Sequence, residues 1–354
     1  LVGSEMCIRD SIYYIPPQTA FKMATYYGRK YRLLELKHLF KEIVLTYKIA
    51  LKSKTVCKLT TKNSAYIAMV DGTAIHGGMC DRFKGIITLY AYCKYRGLPF
   101  RIKYTHPFRL EDYLSPAAYD WTLKKNEYTD NPRYCRILYM RKEYLAKRLL
   151  NLKTKKQVHY YGNRDSLAYI NEAYATNPAN HYNWGELFCE LFKPGPVLEE
   201  RIRTIKKDLG NNYYAAVFRF QNLLGDFKEY NYQPIKDQDK AEDLIEKCLN
   251  AIKELQTSYA NQPLLVTSDS VKFLQRASQI KGVYIIPGTL IHMDGQKKYI
   301  SDNTNEAYLK SFLDFYLLSE AQKIYRIGTS YMYPSEFPVY AAKIHEIPFA
   351  SITI

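Results

Sequence analysis

The sequence predicts an α/β protein with two domains and a helical N-terminal extension. At 354 residues, the chain exceeds the length that a single hydrophobic core usually serves. Beyond residue 196, runs of about five apolar residues alternate with amphipathic helices, which is typical of a doubly wound parallel sheet. In the first half, an apolar run, a glycine pair, a helix and a second apolar run follow one another, which is the order that begins an α/β domain.

Composition breaks divide the chain into an extension of residues 1–62, a first α/β domain of residues 63–196 and a second of residues 197–354. The breaker cluster Lys193-Pro194-Gly195-Pro196 marks the second boundary. In the second domain we predict strands and helices in alternation: helix Val197–Leu209, strand Tyr213–Phe220, helix Asp239–Ser258, strand Leu264–Thr267, helix Val271–Gln279, strand Val283–Pro287, helix Asn305–Ala321, strand Lys323–Ile327 and helix Glu336–Ile344. The region Ser115–Asn183 is rich in Tyr and Lys and gives no clear assignment.

The extension contains a basic amphipathic helix, predicted over Tyr31–Ser53, whereas Leu1–Ser11 supports no structural argument. Its apolar side chains recur at helical spacing, and lysines surround them: Leu33, Leu36, Leu39, Phe40, Ile43 and Val44, with Lys37, Lys41 and Lys48. Such a stripe usually packs on the neighbouring domain. The alternative is a helix that lies on a membrane surface.

Charge and cysteine usage narrow the class of protein. A formal net charge of +16 predicts an anionic partner: nucleic acid, a nucleotide-activated substrate or an acidic membrane face. A codon bias toward Lys, Tyr, Asn and Ile is the alternative cause. The sequence has no apolar run long enough for a membrane span, no signal peptide pattern, and an odd number of scattered cysteines without a metal-ligand motif. We therefore expect a cytoplasmic protein with reduced thiols and no metal.

The loop from Gly77 to Gly85 is the most informative motif. It follows the apolar run Ala65–Val70 and reads Gly77-Gly78-Met79-Cys80-Asp81-Arg82-Phe83-Lys84-Gly85. A strand that ends in two glycines at a helix start brings backbone N–H groups to one point, which suits an anion or a polar ligand. The alternative is a tight turn, with Asp81 and Arg82 as a structural ion pair. His76, Asp81 and Asp71 are the candidates beside this loop for a catalytic base.

Polar residues follow three predicted strands of the second domain, where doubly wound sheets bind their ligands. Arg219 leaves a buried strand and suits a diphosphate, or else pairs with a carboxylate such as Asp226. Asp269 stands in the turn Thr267-Ser268-Asp269-Ser270, in which either serine is able to cap the next helix. The third segment contains Ser330, Ser335 and Phe337, with Ser335 as the expected N-cap.

Together these motifs resemble those of the fucosyltransferase superfamily, which includes nodulation and plant xyloglucan fucosyltransferases. The matches are Gly-Gly-x-x-Asp-Arg-x-x-Gly from Gly77 to Gly85, the Ser/Thr-Asp turn at Asp269, and Ser335-x-Phe337-x-x-x-Ala-Ala. The superfamily's His-x-Arg-Arg-x-Asp motif retains only Arg219, because Val217, Phe220 and Asn222 replace its His, second Arg and Asp.

The resemblance implies a GT-B-like enzyme with its cleft between two Rossmann-like domains. It implies that GDP-fucose binds the C-terminal domain through Arg219, Ser268, Asp269, Ser330, Ser335 and Phe337, with no further cofactor. The acceptor glycan would bind the first domain beside Gly77, Gly78, Asp81 and Arg82. Transfer would invert the anomeric carbon without a metal ion, with Arg219 stabilising the leaving diphosphate. A bacterial inner membrane face, where surface polysaccharides are built, would suit such an enzyme.

Two alternatives remain open at this point. One keeps the glycosyltransferase fold but changes the donor to another nucleotide sugar, because the second arginine is missing. The other is a non-enzymatic protein that binds polyanions through its positive charge and its 35 tyrosines. The dispersed charge and the absence of a legible nucleic-acid-binding motif argue against nucleic acid as the partner.

Overall fold

The computed structural model describes residues 33, 35–49, 51, 64–143, 146–226, 233–259, 262–290 and 304–354. Within these residues the chain forms two parallel sheets with helices packed on them, and a small antiparallel pair of strands. The ends of the predicted helix Tyr31–Ser53, and residues 1–32, lie outside the described residues.

The first sheet has the strand order β2-β1-β5-β4, and all its strands are parallel. Its apolar residues are buried on both faces, so the strands need a helical layer on each side. The elements of this half are α1 (residues 35–49), β1 (Tyr66–Val70), α2 (Met79–Arg96), β2 (Phe100–Tyr104), β3 (Leu114–Pro116), β4 (Cys135–Met140), α3 (Ala146–Leu150), β5 (Gln157–Gly162), α4 (Leu167–Tyr174), α5 (Trp184–Leu191) and β6 (Phe192–Pro194).

The second sheet has the order β11-β10-β7-β8-β9 and is also parallel throughout. Phe218 pairs in register with Ser268 on one side and Ile327 on the other, so three strands end together. Its elements are α6 (Pro196–Leu209), β7 (Tyr214–Phe218), α7 (Gln238–Ser258), β8 (Leu264–Ser268), α8 (Val271–Ala277), β9 (Val283–Tyr284), α9 (Thr304–Ser319), β10 (Ile324–Gly328), α10 (Phe337–Ile344) and β11 (Phe349–Thr353). The prediction of a doubly wound parallel sheet in this half is confirmed.

Aromatic side chains join the two halves of the molecule. Phe315 of α9 stacks on Phe83 of α2, with ring centroids 6.0 Å apart, and Phe312 stacks on Tyr113 at 4.8 Å. Offset aromatic pairs at these distances add to the stabilisation that burial provides. Helix α9 therefore belongs in sequence to the second half of the chain but also packs against α2 and Tyr113 of the first half, and these contacts hold the two halves together.

Three expectations differ from the structure. Helix α1 turns its predicted apolar stripe outward: Leu36, Phe40 and Ile43 are exposed, so the interpretation that this stripe packs on the next domain is wrong. Strand β11 was not predicted and forms one edge of the second sheet. The N-cap of α10 is Glu336 and not Ser335, although Ser335 Oγ still accepts a hydrogen bond from Phe337 N–H (3.3 Å).

Candidate functional site

A cleft of about 330 Å³ lies where the ends of β7 and β8 face helix α2. The turn before α10 and the inner side of α9 complete its walls. Its charged lining residues are Asp81, Lys84, Arg219, Asp269, Lys310, Asp314 and Glu336. The polar cleft thus lies at the carboxyl ends of two parallel strands of the second sheet, the usual ligand position in such folds.

The glycine loop forms one wall of this cleft. Gly77 has φ of +82°, which a residue with a side chain rarely adopts, and Gly78 is the N-cap of α2. A Cβ at Gly85 would overlap the backbone oxygen of Gly162, so this glycine allows α2 to pack closely on β5. Gly78 and Asp81 of the predicted set line the cleft.

Arg82 holds the loop from behind. Its side chain is buried, with Nε donating to Gly77 O (2.9 Å) and Nη1 donating to His106 O (2.7 Å) and to the hydroxyl of Tyr104 (3.1 Å). Hydrogen bonds from a buried guanidinium to backbone oxygens fix the path of the chain. Arg82 is not among the residues that line the cleft, and these contacts give it a positioning role.

His76 also lies away from the cleft lining. It is buried, and its Nε2 accepts a hydrogen bond from Gly72 N–H (3.1 Å). Burial lowers the pKa of His76 to about 4, with the Arg82 charge acting in the same direction, so the imidazole is neutral near pH 7. The structure brings Asp81 to the cleft but not His76.

Arg219 enters the cleft from the end of β7. Its Nη1 lies 3.2 Å from Asp269 Oδ2, and the same carboxylate accepts hydrogen bonds from Phe220 N–H (2.8 Å) and Gln221 N–H (2.7 Å). Burial raises the pKa of Asp269, and the Arg219 charge and the two N–H groups oppose that rise. Asp269 thereby fixes both the arginine and the backbone that follows it. Asp226, the partner considered from sequence, accepts from Ser270 Oγ (2.8 Å) and Lys272 N–H (2.9 Å).

Gln221, a residue that sequence reasoning missed, follows Arg219 in a strained conformation. Its φ is +53°, in the left-handed region that costs a non-glycine residue about 1–2 kcal/mol. Its side chain lines the cleft, and its buried Oε1 has no hydrogen-bond partner among the described residues. Strain and an unpaired buried acceptor together are typical of a ligand-contacting residue.

Lys310 is a second cation in the cleft that sequence reasoning missed. Its Nζ donates to Asp314 Oδ1 (3.0 Å) and Oδ2 (2.8 Å) across one turn of α9, and both side chains are buried. Burial raises the pKa of Asp314, and the ammonium of Lys310 opposes that rise. Asp314 is therefore a buried carboxylate that lines the cleft beside Lys310.

A third cation, Lys84, connects the two walls. It donates to Asp81 Oδ1 (3.1 Å) on α2 and to the carboxylate of Glu336 at the start of α10. Burial alone would lower the pKa of Lys84, but the two carboxylates outweigh burial and the pKa is raised. Glu336 is exposed beside this contact, and sequence reasoning gave it no role beyond the start of a helix.

The remaining predicted residues divide into two groups. Ser268, Ser335 and Phe337 line the cleft with Asp269, whereas Ser330 is exposed outside the described lining. Ser270, and not Ser268, caps α8, because its Oγ accepts from Phe273 N–H (3.2 Å). Among the described residues, no group of three or more His, Cys, Asp or Glu side chains is placed to hold a metal ion.

Several solved structures are similar to this chain. A variant of Arabidopsis thaliana FUT1 in complex with GDP is similar over 86% of this chain and 74% of its own, with 12% identity and a TM-score of 0.51. NodZ α-1,6-fucosyltransferase soaked with GDP-fucose matches 79% of this chain and 92% of its own at 11% identity, with a TM-score of 0.48. POFUT1 in complex with GDP matches 83% of this chain and 100% of its own at 12% identity, with a TM-score of 0.45.

No family model and no curated protein matches the sequence. Among the three structures above, only FUT1 has a TM-score above 0.5, so the fold comparison rests on that structure. It confirms the predicted α/β, GT-B-like fold with two Rossmann-like sheets, and the resemblance to the fucosyltransferase superfamily holds at the level of the fold.

Proposed function

We propose that this chain is a glycosyltransferase that transfers fucose from GDP-fucose to a hydroxyl group of a glycan, with inversion and without a metal ion. The observation that carries the proposal is the pair of cations, Arg219 and Lys310, in a cleft at the carboxyl ends of β7 and β8. The FUT1 structure that shares this fold contains GDP. The donor would lie against the second sheet and the acceptor against the glycine loop.

The diphosphate of the donor is the group that the two cations would bind. The planar guanidinium of Arg219 suits a bidentate contact with phosphate oxygens. The ammonium of Lys310 has three N–H groups and donates to both carboxylate oxygens of Asp314. Among the described residues these two contacts leave one N–H group for the ligand. Both charges would act on the leaving GDP, where negative charge develops as the glycosidic bond breaks. Lys310 of α9 would thus supply the second positive charge, which the superfamily's motif places at the position of Phe220.

A carboxylate would take the proton of the attacking acceptor hydroxyl. Asp81 and Glu336 both line the cleft, on opposite sides of Lys84. Asp81 stands on the wall formed by the glycine loop, where we place the acceptor, so we assign it the role of base. Glu336 would then hold Lys84 in position. We expect Asp81→Asn to lower kcat with little change in the affinity for GDP, and Glu336→Gln to raise KM for the acceptor.

Donor binding is tested first by thermal shift. We expect GDP and GDP-fucose to raise the melting temperature, because a ligand that binds only the folded state stabilises it. EDTA should leave this shift unchanged, because the proposed binding uses no metal ion. UDP, CMP and their sugar conjugates serve as the comparison. A shift with UDP alone would retain the fold and replace the donor. Binding to RNA that weakens steeply with salt, with no nucleotide response, would favour the polyanion-binding alternative.

Arg219→Ala tests the site directly. We expect transfer to fall by at least about 10²-fold, which is the usual effect of removing one donor to a developing negative charge. Arg201→Ala is the matched control, because Arg201 is an exposed arginine that pairs with Glu306 (3.1 Å) outside the cleft. Unchanged turnover in a folded Arg219→Ala protein would contradict the assignment.

A further inference from the structure

Helix α1 is attached to the first sheet through polar side chains. Glu42 is buried on β4, where its Oε1 accepts from Tyr139 N–H (2.8 Å) and its carboxylate pairs with Arg148 (2.8 Å). Leu45 and Ile49 on the same side of the helix join the hydrophobic cluster under that sheet. The buried contacts of Glu42 with a backbone N–H and a guanidinium fix which face of α1 turns inward.

The face of helix α1 opposite Glu42, Leu45 and Ile49 is apolar and exposed. Six side chains at spacings of three or four residues have exposed fractions between 59% and 69%: Leu33, Leu36, Phe40, Ile43, Tyr47 and Leu51. This spacing places the side chains in one stripe along a helix. Exposed large apolar side chains in a contiguous stripe mark an interaction surface, unlike the single ones that any protein surface carries. We call these six residues the α1 stripe.

Lysines border the α1 stripe on one side. At about 100° per residue, Lys37, Lys41 and Lys48 fall between the stripe and the buried face, and all three are exposed. The two acidic residues of the described helix point elsewhere, since Glu35 pairs with Lys147 (2.6 Å) and Glu42 is buried. The exposed surface of α1 therefore combines apolar side chains with positive charge and lacks a described carboxylate.

We propose that the α1 stripe lies on the surface of a membrane that contains anionic lipids. Apolar side chains bordered by lysines fit the boundary between acyl chains and anionic headgroups. A second copy of this chain would bring an identical surface whose lysines find no carboxylate to pair with, so charge complementarity favours the lipid surface. At 1.5 Å per residue, residues 35–49 extend about 22 Å. No described helix is long and apolar enough to cross a bilayer, so α1 would lie in the plane of the surface. The proposal rests on α1 alone and is independent of the enzymatic proposal.

Vesicle co-sedimentation of the whole chain tests the proposal. Vesicles of phosphatidylcholine alone are compared with vesicles that also contain phosphatidylglycerol, at low and high salt. We expect binding to the anionic vesicles and weaker binding at high salt, because headgroup attraction to lysine is screened. No binding of the wild-type chain to anionic vesicles would overturn the proposal.

Two pairs of matched variants separate the contributions of the stripe and the lysines. We expect the affinity of Phe40→Ser/Ile43→Ser for vesicles to fall at least about 10-fold, because the variant lacks two large apolar side chains whose transfer from water into the lipid would favour binding. Its control, Val197→Ser/Tyr331→Ser, removes two comparably exposed side chains elsewhere.

The lysines are tested by a second pair of variants. Changing Lys37, Lys41 and Lys48 to Ala should abolish the preference for anionic vesicles. The same change at the exposed Lys236, Lys253 and Lys281 lowers the net charge equally and should leave that preference in place.

The same variants distinguish the other occupants of the stripe. A wild-type dimer by light scattering that Phe40→Ser/Ile43→Ser dissociates, without vesicle binding, would assign the stripe to a second copy of the chain. A fall in melting temperature in that variant, again without vesicle binding, would assign it to a segment of the chain outside the described residues. Equal loss of binding in the stripe variant and in its control would also overturn the proposal.

Discussion

Replacing Lys310 by Met tests whether the cleft recruits a cation from α9. The substitution keeps an unbranched side chain of similar length but removes the ammonium. If Lys310 binds the diphosphate, the variant loses one hydrogen bond between charged groups, worth about 1.5–3 kcal/mol. The dissociation constant for GDP should then rise about 10- to 150-fold, since 1.4 kcal/mol corresponds to a factor of ten.

The buried partner complicates this measurement and also supplies its control. In Lys310→Met the carboxylate of Asp314 stays buried without a counter-charge, which costs about 3–5 kcal/mol of folding stability. The double variant Lys310→Met/Asp314→Leu removes both charges and should recover most of that stability. If Lys310 binds the donor, the double variant remains deficient in GDP binding although it is stable.

Calorimetric titration with GDP and urea unfolding of the two variants provide the measurements. Stability restored in the double variant together with GDP affinity equal to that of the wild type would refute the reasoning, because Lys310 would then serve only to neutralise Asp314. Asp314→Asn offers a further check. It leaves Lys310 with a neutral partner and should strengthen rather than weaken diphosphate binding.

Three further predictions follow from individual side chains. Gln221→Gly should raise the free energy of unfolding by up to about 1 kcal/mol, because φ of +53° suits glycine, yet weaken GDP binding; greater stability with unchanged affinity would remove Gln221 from the site. Gly85→Ala should lower the melting temperature sharply, because the methyl group meets the Gly162 oxygen, and a wild-type melting curve would contradict the close packing. Burial lowers the pKa of His159 to about 4, so the unfolded chain takes up a proton that the folded chain resists, and stability is lost as pH falls below the unfolded value. Between pH 7 and pH 5 this site should cost about 2 kcal/mol in urea unfolding, and His159→Phe should flatten the profile by that amount.

Periodicity predicted the second sheet well because its strands are buried on both faces. The residues Tyr214–Phe218 and Leu264–Ser268 form nearly continuous apolar runs, and the helix before each strand has a clear cap, Gly210 at the end of α6 and Asp237 at the start of α7. The first sheet was harder to predict. Strand β5 consists of Gln157, buried tyrosines, a histidine, one valine and a glycine, so its burial depends on partners that composition does not reveal. Gln157 Oε1 accepts a hydrogen bond from Thr129 N–H (3.1 Å), in a loop almost thirty residues earlier in the chain, and lies 2.9 Å from His159 Nε2 in its own strand.

Arg219 and Asp81, which the motifs singled out, line the cleft in the structure, but the motifs could not assign their partners. An ion pair across the cleft, such as Lys84 with Glu336, joins residues 252 positions apart and leaves no local pattern. Lys310 did leave a signal: it stands four residues before Asp314 in a helix whose neighbours Leu309, Phe312 and Leu313 are apolar. Burying a charged pair in such a helix is costly, so its presence calls for a reason beyond folding.

Helix α1 shows why an amphipathic pattern alone does not reveal which face is buried. The apolar stripe is the larger hydrophobic surface, so burial energy alone would turn it toward the first sheet. In the structure Glu42 occupies that position, because a backbone N–H of the edge strand β4 and the guanidinium of Arg148 together satisfy its carboxylate. If the stripe were not needed for a partner, exchanging Glu42 for an apolar residue and Phe40 for a polar one would be an easy gain in stability. The polar anchoring of α1 to the sheet therefore makes sense when the outward face has a surface of its own to bind.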